Sequence, residues 1–227
     1  MPAQPDFDAI ARPYRWLEYL TLGRALERCR LHFLPQLRDR TQALVLGDGD
    51  GRFLARLLAQ NPDLQADAVD TSEVMLTLLR GRCERSATGT QTRLRTHHTD
   101  AEGFLRTNSI SSCDLIVTHF FLDCLTQPQV EALAVAAAAR LAPHGVWLVS
   151  DFRIPPGAMR LPAEILVRSL YLAFRLLTGL RADRLPDHAA ALSRAGLTRI
   201  AYHHSRFGVL TSEVWSQIDK PQVALTT

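Results

Sequence analysis

Apolar residues follow two rhythms along this chain. Short unbroken runs, Ala43-Leu44-Val45-Leu46 and Val146 to Val149, have the pattern of strands buried on both faces, and Ala66 to Val69 and Asp114 to Thr118 read as further strands. Thr92 to His97 is a weaker strand signal. Between the runs the spacing changes to three and four. Phe53, Leu54, Leu57 and Leu58 mark one helix, and Val74, Met75, Leu78 and Leu79 mark a second, which Thr71 or Ser72 can cap. Val130 to Leu141 is an alanine-rich third. Strands alternating with helices at this spacing predict an α/β fold, a doubly wound parallel sheet with right-handed crossovers.

Both ends of the chain depart from that alternation. Tyr14, Trp16, Leu17, Tyr19, Leu20, Leu26 and Leu31 are spaced for an amphipathic helical face, broken near Gly23 and ended at Pro35. Ala163 to Thr178 is a strongly apolar helix with one polar stripe, Glu164, Arg168, Tyr171 and Arg175. A short helix, Asp187 to Arg194, then precedes two β-rich runs, Leu197 to His204 and Val209 to Trp215, that read as a hairpin. The expectation is one domain: an N-terminal helical cap over 1–40, a core over 41–152, a helical insertion over 153–186, and a closing helix and hairpin over 187–220. The apolar helix must be covered by something. Core packing, an acceptor pocket wall, a homodimer face and peripheral membrane contact are the alternatives.

Composition narrows the function classes. Twenty-six basic residues face 23 acidic ones, and only Lys220 is a lysine. The arginines are scattered; Arg80, Arg82 and Arg85 fall where a helix should end and read as solvated surface. A nucleic-acid reader would carry a denser basic face. Cys29, Cys83, Cys113 and Cys124 show no metal-ligand spacing, so no metal is expected. With no signal-peptide pattern in residues 1–10 and no 18-residue uncharged apolar run, the expectation is a cytoplasmic chain without a spanning helix.

The chemistry concentrates at Gly47-Asp48-Gly49-Asp50-Gly51, between the first strand and its helix. Glycines there let the backbone turn sharply and approach a ligand, with helix N–H groups facing it. The plain alternative is a tight turn with no ligand. A dinucleotide fingerprint needs glycine at position 52, which is Arg52. Asp48 and Asp50 would also repel a pyrophosphate, but not a cofactor carrying an amine and a sulfonium. Asp70, ending the second strand, suits a carboxylate that accepts ribose hydroxyls.

Leu46 to Gly51, Ala68-Val69-Asp70-Thr71-Ser72 with Met75-Leu76, Thr99-Asp100-Ala101-Glu102, Asp114 to Leu122 and Leu141 to Val149 occur in order over residues 40–152. As a set they resemble the motifs of class I S-adenosylmethionine-dependent methyltransferases. The Met75-Leu76 pair is similar to the small-molecule branch that includes quinone-type enzymes. The resemblance implies a Rossmann-like seven-stranded sheet with an antiparallel closing strand and helices on both faces. It also implies S-adenosylmethionine as cofactor, held by a site that includes Gly51 and Met75. Gly47 and Gly49 would line its methionine part. Asp70 would hold the ribose and Thr71 would lie beside the adenine, with Asp100 and the Ala101 N–H on the adenine amine. His119 would face the methyl group, and Tyr14 would fold over the cofactor. The family usually has an acid two residues before the first glycine. Here that residue is Val45, and Asp48 or Asp50 would substitute.

The expected activity is methyl transfer to a small, apolar acceptor. Such an in-line displacement needs alignment and exclusion of water, and a base only where the acceptor is not already nucleophilic. His119 is the expected catalytic residue. A nicotinamide-dependent oxidoreductase and a non-catalytic cofactor-binding module are the alternatives.

Overall fold

The computed structural model describes residues 24–107, 112–178 and 184–217. Its elements in chain order are α1 (Arg24–Leu31), β1 (Gln42–Leu46), α2 (Arg52–Gln60), β2 (Gln65–Asp70), α3 (Glu73–Ser86), α4 (Thr90–Arg93) and β3 (Leu94–His98). Then follow α5 (Ala101–Thr107), β4 (Cys113–His119), α6 (Gln127–Ala138), β5 (Leu141–Phe152), α7 (Arg160–Thr178), α8 (His188–Arg194), β6 (Leu197–Ser205) and β7 (Leu210–Gln217). Single 3-10 turns sit at Leu34–Leu37, Leu122–Cys124 and Gly157–Met159.

One seven-stranded sheet runs in the order β3-β2-β1-β4-β5-β7-β6. The first five strands are parallel; β7 is antiparallel to both β5 and β6. This is the Rossmann-like sheet with an antiparallel closing strand that the resemblance implies. The period-two alternation of the strands sorts their side chains onto two faces. Leu44, Leu46, Ile116, Trp147 and Val149 pack against Phe104 of α5, Leu133 of α6 and Leu192 of α8. Val45, Val117, Leu148 and Val214 pack on the other face against Phe53 and Leu57 of α2 and Leu79 of α3. The strands are near-continuously apolar because both faces are covered.

Several boundaries differ from the expectation. Thr92 and Arg93 belong to α4, so the third strand begins at Leu94. The Arg93 guanidinium is buried and donates to the carbonyls of Leu58, Asn61 and Thr88, which fixes that turn. Leu141 opens β5 and does not end α6. Helix α5 has too few apolar positions to be seen in the sequence. Ser72, not Thr71, caps α3: its hydroxyl accepts from the Met75 N–H at 3.1 Å. In β6 the pairing with β7 shifts register between Arg199 and Ala201.

Helix α1 docks through Ala25, Leu26 and Cys29 onto Phe120 and Leu210, with Leu166 of α7 and Phe152 beside them. The α7 side chains divide. Ala163, Val167, Leu170 and Tyr171 are buried, whereas Leu161, Ile165 and Leu172 are exposed. Among the described residues, no helix is long and apolar enough to cross a membrane. Tyr14, and the rest of the predicted helical face up to Leu20, lie outside the described residues.

Candidate active site

Three loops meet along the carboxyl ends of β1, β2 and β3. The Gly47 N–H donates to the Val69 carbonyl at 3.0 Å, and the Thr99 N–H to the Asp70 carbonyl at 3.1 Å. These bonds continue the sheet past its strands and set the glycine turn, Asp70 and Asp100 on one rim. The glycine-turn end of the rim adjoins the switch point of strand order, between β1 and β4, where open α/β sheets bind ligands.

The three glycines of the turn all have positive φ: 68° at Gly47, 58° at Gly49 and 77° at Gly51. Their surroundings differ. A Cβ on residue 47 would run into the Phe121 ring, and one on residue 51 would lie 2.7 Å from Leu79 of α3. Those two positions are bare so that protein can pack on them. Gly49 faces space in which an added Cβ would meet nothing within 4 Å.

Asp70 and Asp100 are both half-buried and both shape their own loops. Asp70 Oδ1 accepts from the Ser72 N–H at 2.9 Å. Asp100 Oδ1 accepts from the Gly103 N–H at 2.6 Å, at the start of α5. Thr71 and Ala101 follow them directly, and Met75 is buried one turn into α3. The Thr71 carbonyl lies 3.0 Å from His98 Nε2. Of the predicted cofactor residues in the described chain, Gly47 to Gly51, Asp70, Thr71, Met75, Asp100 and Ala101 follow one edge, and His119 stands apart at the end of β4.

The two acids of the turn are not equivalent. Asp50 is spent within the protein: its carboxylate pairs with Arg82 Nη2 at 2.8 Å and Arg52 Nε at 3.1 Å. Arg82 also donates to the Asp50 carbonyl at 2.8 Å. This member of the arginine trio is therefore a brace for the turn and not merely solvated surface. Asp48 Oδ2 accepts from the Leu54 N–H at 3.0 Å, in the first turn of α2. Its Oδ1 is sealed from solvent and has no hydrogen-bond partner. Burial pushes the Asp48 carboxyl up to about 7, against the Leu54 N–H and Arg30, and Asp50 and Asp70 add to the rise.

His119 ends β4, 2% exposed, with its ring edge-on to Phe53 at 4.4 Å. Neither ring nitrogen has a hydrogen-bond partner. Burial, with the Arg30 charge adding to it, holds its pKa well below the usual histidine range. His119 lies opposite Ser150 in the β4–β5 pairing, so it shares the face of Ser150, and Asp151 takes the other.

On that other face sequence reasoning missed a second polar group. Asp151 Oδ1 accepts from the Phe152 N–H at 2.7 Å and its Oδ2 from the Asp123 N–H at 3.2 Å. Burial, with Asp123 beside it, raises Asp151 well above the carboxylate range. Burial pushes Asp123 up to about 6, opposed by Cys124, backbone N–H groups and His188. The Tyr171 hydroxyl of α7 donates to the Asp123 carbonyl at 2.6 Å. Val167 and Tyr171 pack there with Cys124, Phe152, Ile154 and Leu185. The available sequence signal was an acid at the end of β5 and another four residues past β4.

Residues 44–147 match the family model described as a methyltransferase domain. Among solved structures, the chain superposes on mitomycin 7-O-methyltransferase with a TM-score of 0.64 at 16% identity, over 86% of this chain and 55% of that one. An O-methyltransferase family 2 protein of Planctomyces limnophilus, in complex with apigenin, gives 0.60 at 19% identity, over 88% and 65%. An N-methyltransferase of Bradyrhizobium japonicum gives 0.56 at 16%, over 84% and 95%. No curated protein matches the chain's sequence. The chain spans 55–65% of the length of the first three structures it resembles, and at these identities the likeness is one of fold. The match over residues 44–147 and these superpositions make the chain similar, in its core and in its fold, to methyltransferases.

Proposed function

We propose that this chain is an S-adenosylmethionine-dependent methyltransferase acting on a small acceptor with an apolar body. The observation that carries the reading is the rim itself. A glycine turn, open at Gly49, is followed along the strand ends by two carboxylates, Asp70 and Asp100. The residues fit the cofactor. Asp48 offers an unpartnered buried oxygen to a cation, Asp70 a carboxylate to the ribose, and Asp100 an acceptor to the adenine amine. When bound, S-adenosylmethionine supplies a methyl group already activated by its sulfonium. A pyrophosphate cofactor fits worse, because Asp48 meets it at the turn and position 52 is Arg52, already paired with Asp50.

The acceptor side is read as the space past β4 and β5, under α7. Val167, Phe152 and Ile154 supply apolar wall there, and Asp123, Asp151 and Tyr171 supply polar atoms. A desolvated wall suits displacement at a cationic carbon, since water would compete and screen. Two candidates exist for taking the acceptor's proton. Asp123, raised to about 6 beside Asp151, is favoured over His119, whose pKa burial holds well below the usual histidine range and which is therefore the weaker base. The relatives include methyltransferases to oxygen and to nitrogen, so the acceptor atom is left open. The four cysteines are free thiols, which supports a reducing, cytoplasmic setting.

Isothermal titration of the full chain with S-adenosylmethionine and with NAD tests the cofactor. A radiolabelled-methyl assay over a panel of phenols, quinols and amines tests the activity. Binding of NAD but not S-adenosylmethionine would overturn the reading. S-adenosylmethionine binding with no transfer to any of them would favour the non-catalytic module.

A further inference from the structure

A buried carboxylate oxygen without a partner is costly, and native structures rarely keep one without a purpose. Asp48 Oδ1 is such an atom. Its neighbour in the turn, Asp50, is fully engaged by Arg52 and Arg82, so the turn has one carboxylate committed to the fold and one left over. The backbone next to the leftover one is open: Gly49 adjoins it, and nothing lies within 4 Å of where a side chain would start. At position 45, where the resembling family carries an acid, Val45 is 1% exposed and packed into the sheet's core, so no charge can come from the strand.

Resting on the methyltransferase reading, we propose that Asp48 is the anchor for the α-ammonium group of S-adenosylmethionine, in place of the acid missing from β1, and that cofactor binding expels a proton from it. The ammonium N–H donates to Oδ1 while Oδ2 keeps the Leu54 N–H. The proton goes to the buffer, and no bond of the cofactor changes. The charged and titratable groups facing Asp48 are Arg30 from α1, Asp50 in the same turn, Asp70 from the end of β2 and Cys83 from α3. Arg30 favours the ionised form and the two acids disfavour it. Burial outweighs both, so the free chain carries Asp48 partly protonated near neutral pH. An arriving cation reverses that balance.

Linkage then fixes the sign. Affinity is full above the free carboxyl's pKa and declines as the pH falls through it. With that value at about 7, affinity at pH 6 should be about tenfold lower than at pH 8.

The experiment is calorimetric titration of the full chain with S-adenosylmethionine, S-adenosylhomocysteine and methylthioadenosine. Each is titrated across pH 6 to 8 and, at pH 7, in phosphate and in Tris, whose ionisation enthalpies differ. The proposal expects about half a proton released at pH 7 with the first two ligands, which carry the ammonium. It expects none with methylthioadenosine, which lacks it. Asp48→Asn, which keeps a capping oxygen for Leu54, should bind S-adenosylmethionine about 10- to 100-fold more weakly, with no proton released and a flat pH profile. Equal release with methylthioadenosine, or undiminished release from Asp48→Asn, would overturn the proposal, as would wild-type binding with no proton released. Absence of wild-type binding at every pH would overturn the methyltransferase reading and this proposal together.

Discussion

The ring of Phe121 lies directly on the bare backbone of Gly47. The first residue past β1 and the second past β4 thereby close the switch point of the sheet with protein. Gly47→Ala must displace that ring and hold φ near 68° with a Cβ present. It should unfold at lower temperature than wild type by an amount worth about 2 kcal/mol or more. Gly49→Ala bears only the backbone term, about 1 kcal/mol. Thermal denaturation of the two variants side by side checks the difference; equal losses would show that Phe121 gives way freely.

Gly49→Val should leave the sheet folded and abolish cofactor binding, because its branch projects into the open side of the turn. Circular dichroism establishes the first half and titration the second. Wild-type affinity in a folded Gly49→Val would reduce the turn to a connector.

Asp70→Ala removes the carboxylate proposed to hold the ribose and should weaken S-adenosylmethionine by about 1.5–3 kcal/mol. The same variant frees the Ser72 N–H, so the melting temperature must be recorded with the affinity. Unchanged affinity in a folded protein would take Asp70 out of the site.

Asp123→Asn should lower turnover by roughly 10²- to 10⁴-fold with little change in cofactor affinity, as expected for loss of a general base. His119→Asn serves as the comparison. A larger loss from the histidine variant, in a protein of normal stability, would return the proton-acceptor role to His119.

Glu213 gives a pH dependence of stability. It is 2% exposed and receives the Trp215 indole N–H at 2.9 Å, the Thr211 hydroxyl at 2.9 Å and Arg199 at 3.2 Å. Burial alone would raise its pKa; His188, Thr211 and Arg199 together hold it down to about 2. A folded value below the unfolded one means stabilisation that is full above pH of about 4.5 and lost as the pH falls toward 2. The span corresponds to about 3 kcal/mol. Denaturant midpoints between pH 6 and 2.5 should show the loss in wild type and a shallower one in Glu213→Gln.

Much of this architecture was legible because strands buried on both faces leave an unmistakable apolar run, as at Leu115-Ile116-Val117. The glycine turn and Asp70 were legible because strand ends are marked by the residues that stop them. Four things were not. Helix α5 owes its start to the Asp100 carboxylate capping Gly103, a contact without hydrophobic periodicity. The bracing of Asp50 by Arg82 joins residues 32 positions apart, so no local pattern announces it. Asp123 and Asp151 meet only because β4 and β5 are adjacent, and pairing is a tertiary fact. On α7, periodicity identified an apolar helix but not which side is covered. Leu170 proves buried and Leu172 exposed. Leu170→Glu should therefore impair folding or acceptor turnover, whereas Leu172→Glu should alter, at most, the mass measured by light scattering.

The register shift at Ile200 has a consequence for how copies of this chain can associate. Strand β6 is the outer edge of the sheet beyond β7, nine residues long, and such an edge is a template for another chain's backbone. The irregularity between Arg199 and Ala201 breaks its run of hydrogen-bonding positions, and Ile200 and Tyr202 stand exposed beside it. A second copy laid along β6 would lose alignment after a few residues. End-to-end growth of sheets into fibres is thereby opposed at this margin by a single misplaced residue, with the exposed Arg199 charge at the same point.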